Sequence, residues 1–570
     1  MEKLTPILFI AMKKYSKQQF VQDVIAGIIV AIIALPLSIA LALASGVGPD
    51  KGIYTAIVAG FVIAFFGGSR VQISGPTAAF ATIVAGIVAE HGMDGLIMAT
   101  LLAGVMLILM GLFRFGSMIR FIPYTITTGF TAGIAVTILI GQFKDFFGVT
   151  YANGEAPVET LEKLSAFFGN IGSINTTAVL VGLGSLLIMT VWPKFNDKIP
   201  PSLIAVIVGS LVVQVLDLNV NTIGDLYTIT NQPPTFHMPN LSLDLAKTVS
   251  KDAFTIAVLA AIESLLSCVV ADSMTNTKHR PNVELMGQGL GNIASALFGG
   301  IPATGAIART AANIKSGGRT PVSGMVHAVV LLLILVIFMP YAALIPMPVI
   351  ASILFIVAYN MCQWRPFLHL LKTAGRSDVI VLILTFILTI VFDLVVAIET
   401  GVLMACLLFM KRMSDETNVR SWKYMKDDEW DDSDKFTEVP RHIRVYEVNG
   451  PLFFGAAGSV AEINVKQFTR CLIIRMRSVP DLDATGLNAL EELYDRCAKK
   501  GIIVLFSHVN AQPMYVMKRA GFDQKVGLDH FCPHIENALE LAKQLTAGTE
   551  TDKHGRPLKP KHHKPENVTA

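Results

Sequence analysis

Charge is scarce in this sequence. Of 570 residues only 16% are Asp, Glu, Lys or Arg, against about 25% in soluble proteins. Hydrophobic residues make up 52%, and mean hydropathy is +0.56. A soluble chain of this length would form several domains, and it would need more polar surface to cover them than this one has. Most of it therefore belongs in lipid, which all but excludes a soluble enzyme. The net charge of +3 and the absence of a basic stripe interleaved with aromatics argue against nucleic acid as a partner. The six cysteines, Cys268, Cys362, Cys406, Cys471, Cys497 and Cys532, show no CxxC spacing. They read as buried thiols of a reducing compartment, with neither a disulfide framework nor a zinc site. Walker A, GxSxG and HExxH patterns are missing too, so no catalytic residue, cofactor or metal is expected.

What is present is a long series of apolar runs. The first spans Val24–Ala44, preceded by Lys13, Lys14 and Lys17; it is too long for a signal-peptide core and reads as a retained helix. Others follow near 52–66, 73–89, 95–113, 121–141, 176–192 and 199–216. A polar stretch, 217–250, separates them from seven more, near 253–272, 283–298, 304–314, 321–339, 342–361, 378–392 and 395–410. Fourteen spans with a cytoplasmic N-terminus place Arg70, Arg114, Arg120, Lys194, Lys198, Lys278, Arg280, Lys315, Arg319, Arg365, Lys372, Arg376, Lys411 and Arg412 inside. The outside loops then hold only Lys51, Lys144, Lys163, Lys247 and Lys251, the asymmetry the positive-inside rule demands.

After Arg412 the composition changes. Asp427-Asp428-Glu429-Trp430-Asp431-Asp432 reads as a solvated linker. From His442 the pattern is that of a small α/β domain. Its strands are expected at Ile443–Val448, Leu452–Phe454, Cys471–Met476 and Ile502–Phe506, and its helices at Gly486–Lys500, Pro513–Ala520 and His534–Leu545. The tail, with His562 and His563, reads as disordered. The expected division is a cytoplasmic N-terminus (1–19), a transport domain (20–412), an acidic linker (413–440), an α/β domain (441–546) and a basic tail (547–570).

The two sets of seven spans share a signature. Phe65-Phe66-Gly67-Gly68 precedes the third span, and Leu297-Phe298-Gly299-Gly300 precedes the tenth, its counterpart. Each is followed by an irregular stretch, Ser69–Thr77 (SRVQISGPT) and Ile301–Gly305 (IPATG), then by a short helix of small residues, Ala78–Ala89 and Ala306–Ile314. A seven-span unit reverses direction across the membrane, so two in tandem are related by inversion. Interrupted segments at matching places in such halves point to a transporter's site. Backbone that leaves helical geometry at membrane depth must line a cavity or be buried in protein. A helix starting there aims unpaired N–H groups and partial positive charge into the cavity, so two such starts make an anion site without a fixed basic side chain. The competing reading, that small residues merely permit close helix packing, suits one such segment better than a matched pair.

Glu263 lies mid-span among Ile, Leu and Ala, where a carboxylate costs several kcal/mol unless paired or protonated; this makes it a candidate proton carrier, or else a glutamate satisfied by backbone donors. Ser267 shares its helical face. Arg309, one turn into the tenth span, can supply positive charge to the anion or pair with Glu263. Asp272 and Asp393, near span ends, read as structural, and His327 as a satisfied packing residue.

Several of these stretches resemble one known family. They are Leu35–Ala40 (LPLSIA), Ser74–Phe80 (SGPTAAF), Ala271–His279 (ADSMTNTKH), Glu284–Asn292 (ELMGQGLGN) and Thr304–Asn313 (TGAIARTAAN). Together they are similar to the SulP (sulfate permease) anion transporters over residues 20–545, and the C-terminal domain resembles STAS, the domain that ends most SulP chains. LPLSIA lacks the Gln and Tyr of the family's LPQxxAYA-type motif. The AIESLL context around Glu263, with Leu408–Met413 (LFMKRM) and Gly450–Ala457 (GPLFFGAA), looks most like the DauA-like bacterial subgroup, carriers of C4-dicarboxylates.

The resemblance implies a helical polytopic membrane protein of fourteen spans in a 7+7 inverted repeat, followed by a small α/β STAS domain. Spans 1–4 and 8–11 would form a core that slides, elevator-like, against a gate of spans 5–7 and 12–14, usually in a homodimer. The family's substrate-binding positions fall on Thr77 and Ala78 and on Ala306 and Ile307, with Arg309 within reach. The coupling-ion position falls on Glu263, with Ser267 and Gly305 beside it. Glu263 stands where sodium–bicarbonate members carry Asp, which favours a proton over sodium. Thr485, in Asp483-Ala484-Thr485-Gly486, occupies the position that anti-sigma-factor antagonists phosphorylate, although the same residues also read as a helix start capped by Asp483 or Thr485, the reading preferred for a transporter.

The expected function is secondary active transport of a small anion (dicarboxylate, bicarbonate or sulfate) across the cytoplasmic membrane, with both termini cytoplasmic and a proton as coupling ion. The alternatives are a sodium-coupled bicarbonate symporter, an uncoupled exchanger or channel and, from another class, an anion sensor signalling through the STAS domain to an unnamed partner.

Overall fold

The computed structural model describes residues 4–117, 123–151, 157, 159–196, 199–239, 242–392, 394–421, 439–440, 442–463, 465 and 468–547. Arg120, Lys198, Asp393, the acidic stretch Asp427–Asp432 and the tail with His562 and His563 lie outside the described residues. The chain forms two compact units, Met1–Leu403 and Met404–Ala570.

The expected spans are carried by thirteen helices. The first half comprises α1 (Lys17–Ala44), α2 (Pro49–Phe66), α3 (Ala81–Leu112), α4 (Tyr124–Gly141), α5 (Thr176–Val191) and α6 (Pro201–Val215). The second comprises α7 (Ser250–Thr275), α8 (Pro281–Leu297), α9 (Ile307–Lys315), α10 (Val322–Ala342), α11 (Met347–Cys362), α12 (Arg376–Val391) and α13 (Leu394–Glu416), which runs on into the second unit. Helix α3 holds the third and fourth spans, which meet at a kink where Gly92 takes φ +66°, backbone that glycine adopts without a Cβ penalty. Among the described residues eight helices are long and apolar enough to cross a membrane; α9, with nine residues, is a half-span.

Local signals explain the helix starts. Ser16 and Gln19 close a capping box on α1, Asn175 caps α5, and proline opens α2, α6 and α8, where its missing N–H costs nothing. Two shorter helices, Ile223–Leu226 and Leu243–Thr248, lie in the polar stretch, and a third, Trp364–Thr373, precedes α12; none of these was expected. Packing sorts the spans into two groups. Helices α1, α2, α3, α7, α8, α9 and α10 pack mainly on one another, while α4 packs with α11 and α12, and α5 with α6 and α11. These groups correspond to the core and gate that the family resemblance implies.

The second unit is a five-stranded sheet in the order β3 (Asn418–Ser421), β4 (Ile443–Asn449), β5 (Cys471–Ser478), β6 (Ile503–Ser507), β7 (Phe531–Cys532). Strands β4 to β7 are parallel and β3 is antiparallel to β4. Alternation along β5 sends Leu472 and Ile474 to one apolar core, shared with Leu490, Leu493 and Phe522, and Cys471 and Ile473 to another, shared with Ile535 and Ala538. Helices α14 (Ala484–Lys499), α15 (Ala511–Arg519) and α16 (Ile535–Leu545) fall where periodicity puts them. Two expectations are corrected. Leu452–Phe454 is no strand: Leu452 makes only an isolated bridge to Leu482. The edge strands β3 and β7 were missed, being short and without a long alternating pattern.

All six cysteines are free. Cys268, Cys471, Cys497 and Cys532 are buried as expected, but Cys362, the last residue of α11, is half-buried and Cys406 exposed.

Candidate functional site

The two irregular stretches meet. Ser74–Gly75 (β1) pairs antiparallel with Thr304–Gly305 (β2), Ser74 opposite Gly305 and Gly75 opposite Thr304. The ladder continues as Ala306 N–H donates to the Ile73 carbonyl at 2.9 Å. Because the strands are antiparallel, the chain leaves the crossing in opposite directions. One exit enters a 3₁₀ turn at Ala78–Phe80 and then α3; the other enters α9 through Ala306. Unlike α1 and α5, neither start carries a side-chain cap. Two first-turn N–H sets thus flank one crossing, an arrangement suited to an anion.

The crossing is fastened from both repeats, by α8 of the second and α2 of the first. Glu284 on α8, 1% exposed, accepts from Gly68 N–H (2.8 Å), Ser69 N–H (3.1 Å), Gln72 Nε2 (2.7 Å) and Gln288 Nε2 (2.8 Å), pinning the stretch before the third span. Asn292, two turns on, donates to the Ala303 carbonyl (2.9 Å) and accepts from Ala303 N–H (2.8 Å), pinning the stretch before the tenth. Thr55 on α2 accepts from Ile301 N–H at 2.7 Å. Gly68 packs so closely on α8 that a Cβ would sit 2.1 Å from the Arg280 carbonyl oxygen. Sequence reading quoted Glu284–Asn292 as one stretch of the family resemblance but gave neither end residue a role, although a signal was there: Glu284, Gln288 and Asn292 recur every fourth residue, one polar stripe on a mostly apolar and small-residue helix.

Glu263 is half-buried on α7 and accepts from Thr77 Oγ1 at 2.9 Å, so the proposed coupling carboxylate touches the residue that opens the third-span half-helix. Thr304 Oγ1 donates to the Ala260 carbonyl, nearly one turn earlier on α7, at 3.0 Å. Ser267, fully buried, turns to Thr310 Oγ1 (3.4 Å), and Thr310 accepts from Ile73 N–H (3.0 Å). Thr77 and Ala306 are half-buried, Ala78 and Gly305 buried, and Ile307 exposed.

Arg309 departs from one of its two expected roles. It is 1% exposed and forms no ion pair with Glu263; one guanidinium nitrogen donates to the Pro76 carbonyl instead. Its Nε and Nη1 have no hydrogen-bond partner among the described residues. The reason is positional: Arg309 enters from α9 behind β1, where a Cβ on Gly75 would lie 2.7 Å from Nη1. His327 is buried as expected but not satisfied, neither ring nitrogen having a partner among the described residues. Asp272 is structural, accepting from the backbone N–H and Nδ1 of His279 at 2.9 and 2.7 Å. No group of His, Cys, Asp or Glu able to hold a metal ion occurs among the described residues. In the second unit Asp483 caps α14 by accepting from Gly486 N–H at 2.7 Å, and Thr485 stands exposed one residue into the helix.

Fold and crossing define a class: a multi-pass membrane protein of two inverted seven-span repeats, with broken helices meeting inside the bundle, as in secondary transporters. Comparison with known proteins makes this specific. Residues 20–385 match the sulfate permease family and residues 435–538 the STAS domain. The chain belongs to the sulfate permease family, a family of membrane anion transporters. It is 39% identical to YvdB of Bacillus subtilis (strain 168), whose name offers sulfate transport as a supposition, spanning 92% of this chain and 98% of that one. It is 33% identical to the bicarbonate transporter BicA of Synechocystis sp., over 84% of this chain and 86% of that one. Among solved structures, the transmembrane domain of a cyanobacterial BicA superposes with a TM-score of 0.60 at 30% identity, covering 69% of this chain and 98% of that one. Murine Slc26a9 superposes with a TM-score of 0.85 at 18% identity, over 95% of this chain and 94% of that one, a likeness of fold. Relatives over nearly the whole length are named as transporters.

Proposed function

We propose that this protein is a proton-coupled symporter of a small oxyanion in the cytoplasmic membrane, working as an elevator and assembling as a homodimer with both termini in the cytoplasm. The observation that carries the reading is the hydrogen bond from Thr77 to Glu263 beside the uncapped starts of α3 and α9. A carboxylate and an incoming anion compete for the same donors and repel each other. A proton on Glu263 removes the repulsion and frees the Thr77 hydroxyl, so proton and anion each favour the other's binding, as linkage requires. No basic side chain lies within ion-pair distance of Glu263 among the described residues, leaving a proton or a cation from solution as its counter-charge. Ser267 is committed to Thr310, which thins the oxygen set a sodium ion would need. The N–H groups at Ala78 and Ile307 bind the anion, and buried Arg309, hydrogen-bonded to the Pro76 carbonyl, adds positive charge behind it.

Bicarbonate and sulfate are the substrates that relatives' names suggest, and a C4-dicarboxylate is the one suggested by the subgroup resemblance. Uptake into proteoliposomes of bicarbonate, sulfate, succinate and fumarate, each with proton and sodium gradients imposed separately, tests the assignment. Glu263→Gln is expected to abolish pH-driven accumulation while keeping counterflow. Accumulation that still follows the pH gradient in this variant would refute coupling through Glu263, sodium-driven uptake would replace the proton, and an absence of uptake under every gradient would favour a sensor. Thr485 is a regulatory phosphosite on this reading, its phosphate meeting the N-terminus of α14; phosphopeptide mapping of protein from native membranes tests it.

A further inference from the structure

A second concentration of positive charge lies in the membrane unit, and the transport site does not use it. At the end that carries the N-terminus, a cavity of about 520 Å³ is lined by Lys13, Arg70 and Arg319, by Thr275, Thr277 and Thr320, and by the apolar wall of Ile10, Ala11 and Val71. Four separate segments build it: the residues before and at the start of α1, the loop between α2 and β1, the end of α7, and the loop between α9 and α10. The acids nearby are already engaged. Asp23 accepts from Tyr15 Oη, from the Arg319 and Thr320 backbone N–H groups and from Thr320 Oγ1, and Asp272 accepts from Thr277 Oγ1 and pairs with His279. Arg319 is partly committed, its Nη1 donating to the Ile314 and Gly318 carbonyls. Lys13 and Arg70 make no hydrogen bond or ion pair among the described residues. Three cationic side chains and, among the described residues, no carboxylate line the cavity.

We propose that it binds a phosphate monoester or diester, the phosphate held by Lys13 and Arg70, and the organic arm laid on Ile10, Ala11 and Val71. The volume far exceeds one tetrahedral ion, and the apolar wall has no use for a bare one. Phe9, Met12, Phe20 and Val21 are exposed beside it, as suits a surface at the level of lipid headgroups. The same phosphate chemistry can come from an anionic lipid or from a soluble phosphoester.

The test titrates the full-length protein in neutral detergent with dihexanoylphosphatidylglycerol and, separately, with glycerol 3-phosphate, reading the shift in thermal unfolding midpoint. Dihexanoylphosphatidylcholine controls for the tails. Because Lys13 and Arg70 hold nothing else in place, Lys13→Gln and Arg70→Gln should fold normally. Each should weaken the apparent Kd roughly tenfold or more, the worth of one charge-assisted contact, and Arg70→Glu should abolish binding. Stabilisation by the phosphatidylglycerol alone identifies a lipid headgroup; stabilisation by both probes identifies a soluble phosphoester site. No shift with either probe, an equal shift with phosphatidylcholine, or a shift indifferent to Lys13 and Arg70 overturns the proposal.

Discussion

Removing the Glu284 side chain should unfasten the site without touching the anion. In Glu284→Ala four donors lose an acceptor at once: two backbone N–H groups before β1 and the amides of Gln72 and Gln288. A buried donor left unsatisfied costs about 1–3 kcal/mol. Gln288 Nε2 keeps Ser74 Oγ at 3.2 Å, so three donors are left unsatisfied; even at the low end the sum is about 3 kcal/mol, a large part of the roughly 5–15 kcal/mol that holds a domain folded. Glu284→Gln separates this from simple loss of charge. Its one carbonyl oxygen can keep Gly68 and Ser69, both now on Oε2, while its new NH₂ faces the two glutamines. Gln288 Oε1 has no partner, so that amide can flip and accept. Gln72 can flip at the loss of a weak contact from the Cys268 thiol, 2.8 Å from its Oε1. The expected cost of Glu284→Gln is therefore within about 2 kcal/mol, since hydrogen bonds to neutral groups are weaker but remain satisfied. Heating detergent-solubilised protein and following the folded peak by size exclusion reads both variants. Transport by Glu284→Gln should persist, and Glu284→Ala should lose the folded peak at markedly lower temperature. Equal midpoints for the two variants, or an unshifted Glu284→Ala, would show that Glu284 does not hold the crossing.

Asn292→Ala strips both bonds from Ala303 and should raise the KM for the anion in reconstituted uptake more than it lowers the unfolding midpoint; an unchanged KM counts against a role for α9 in binding. In the STAS unit, Asp483→Ala removes the α14 cap at about 1 kcal/mol, so hydrogen exchange over Ala484–Leu487 should quicken while β5 is unaffected. Burial pushes the Cys471 thiol up to about 12, and only the thiolate is nucleophilic. Maleimide at pH 8 should therefore spare Cys471 in the folded protein and label it in SDS; reaction at the rate of a free thiol would mean the sheet opens there.

The residues that made the site legible were those whose local chemistry is unusual in lipid. Glu263 stood out because so little else in its span is charged. The paired Gly-Gly signatures with their irregular stretches located both half-helix starts, and α9 begins at Ile307 with Ala306 as its N-cap. The STAS strands β4, β5 and β6 and helices α14, α15 and α16 were equally readable, because period-two and period-3.6 patterns are properties of neighbouring residues. Edge strands of two and four residues carry too little pattern, so β3 and β7 were not.

By itself, then, the sequence determined membrane residence, the span series, the inverted halves and the identity of the mid-span carboxylate Glu263, since each follows from composition or local order. Tertiary structure alone decided which polar groups meet. Residues more than two hundred positions apart pair at β1 and β2, so Thr77 finds Glu263, while Arg309 reaches the Pro76 carbonyl rather than the acid. The physical reason is that at membrane depth backbone polar groups must be answered from within the protein. Which group answers depends on how α7, α8 and α9 pack around the crossing, and no spacing along the chain encodes that.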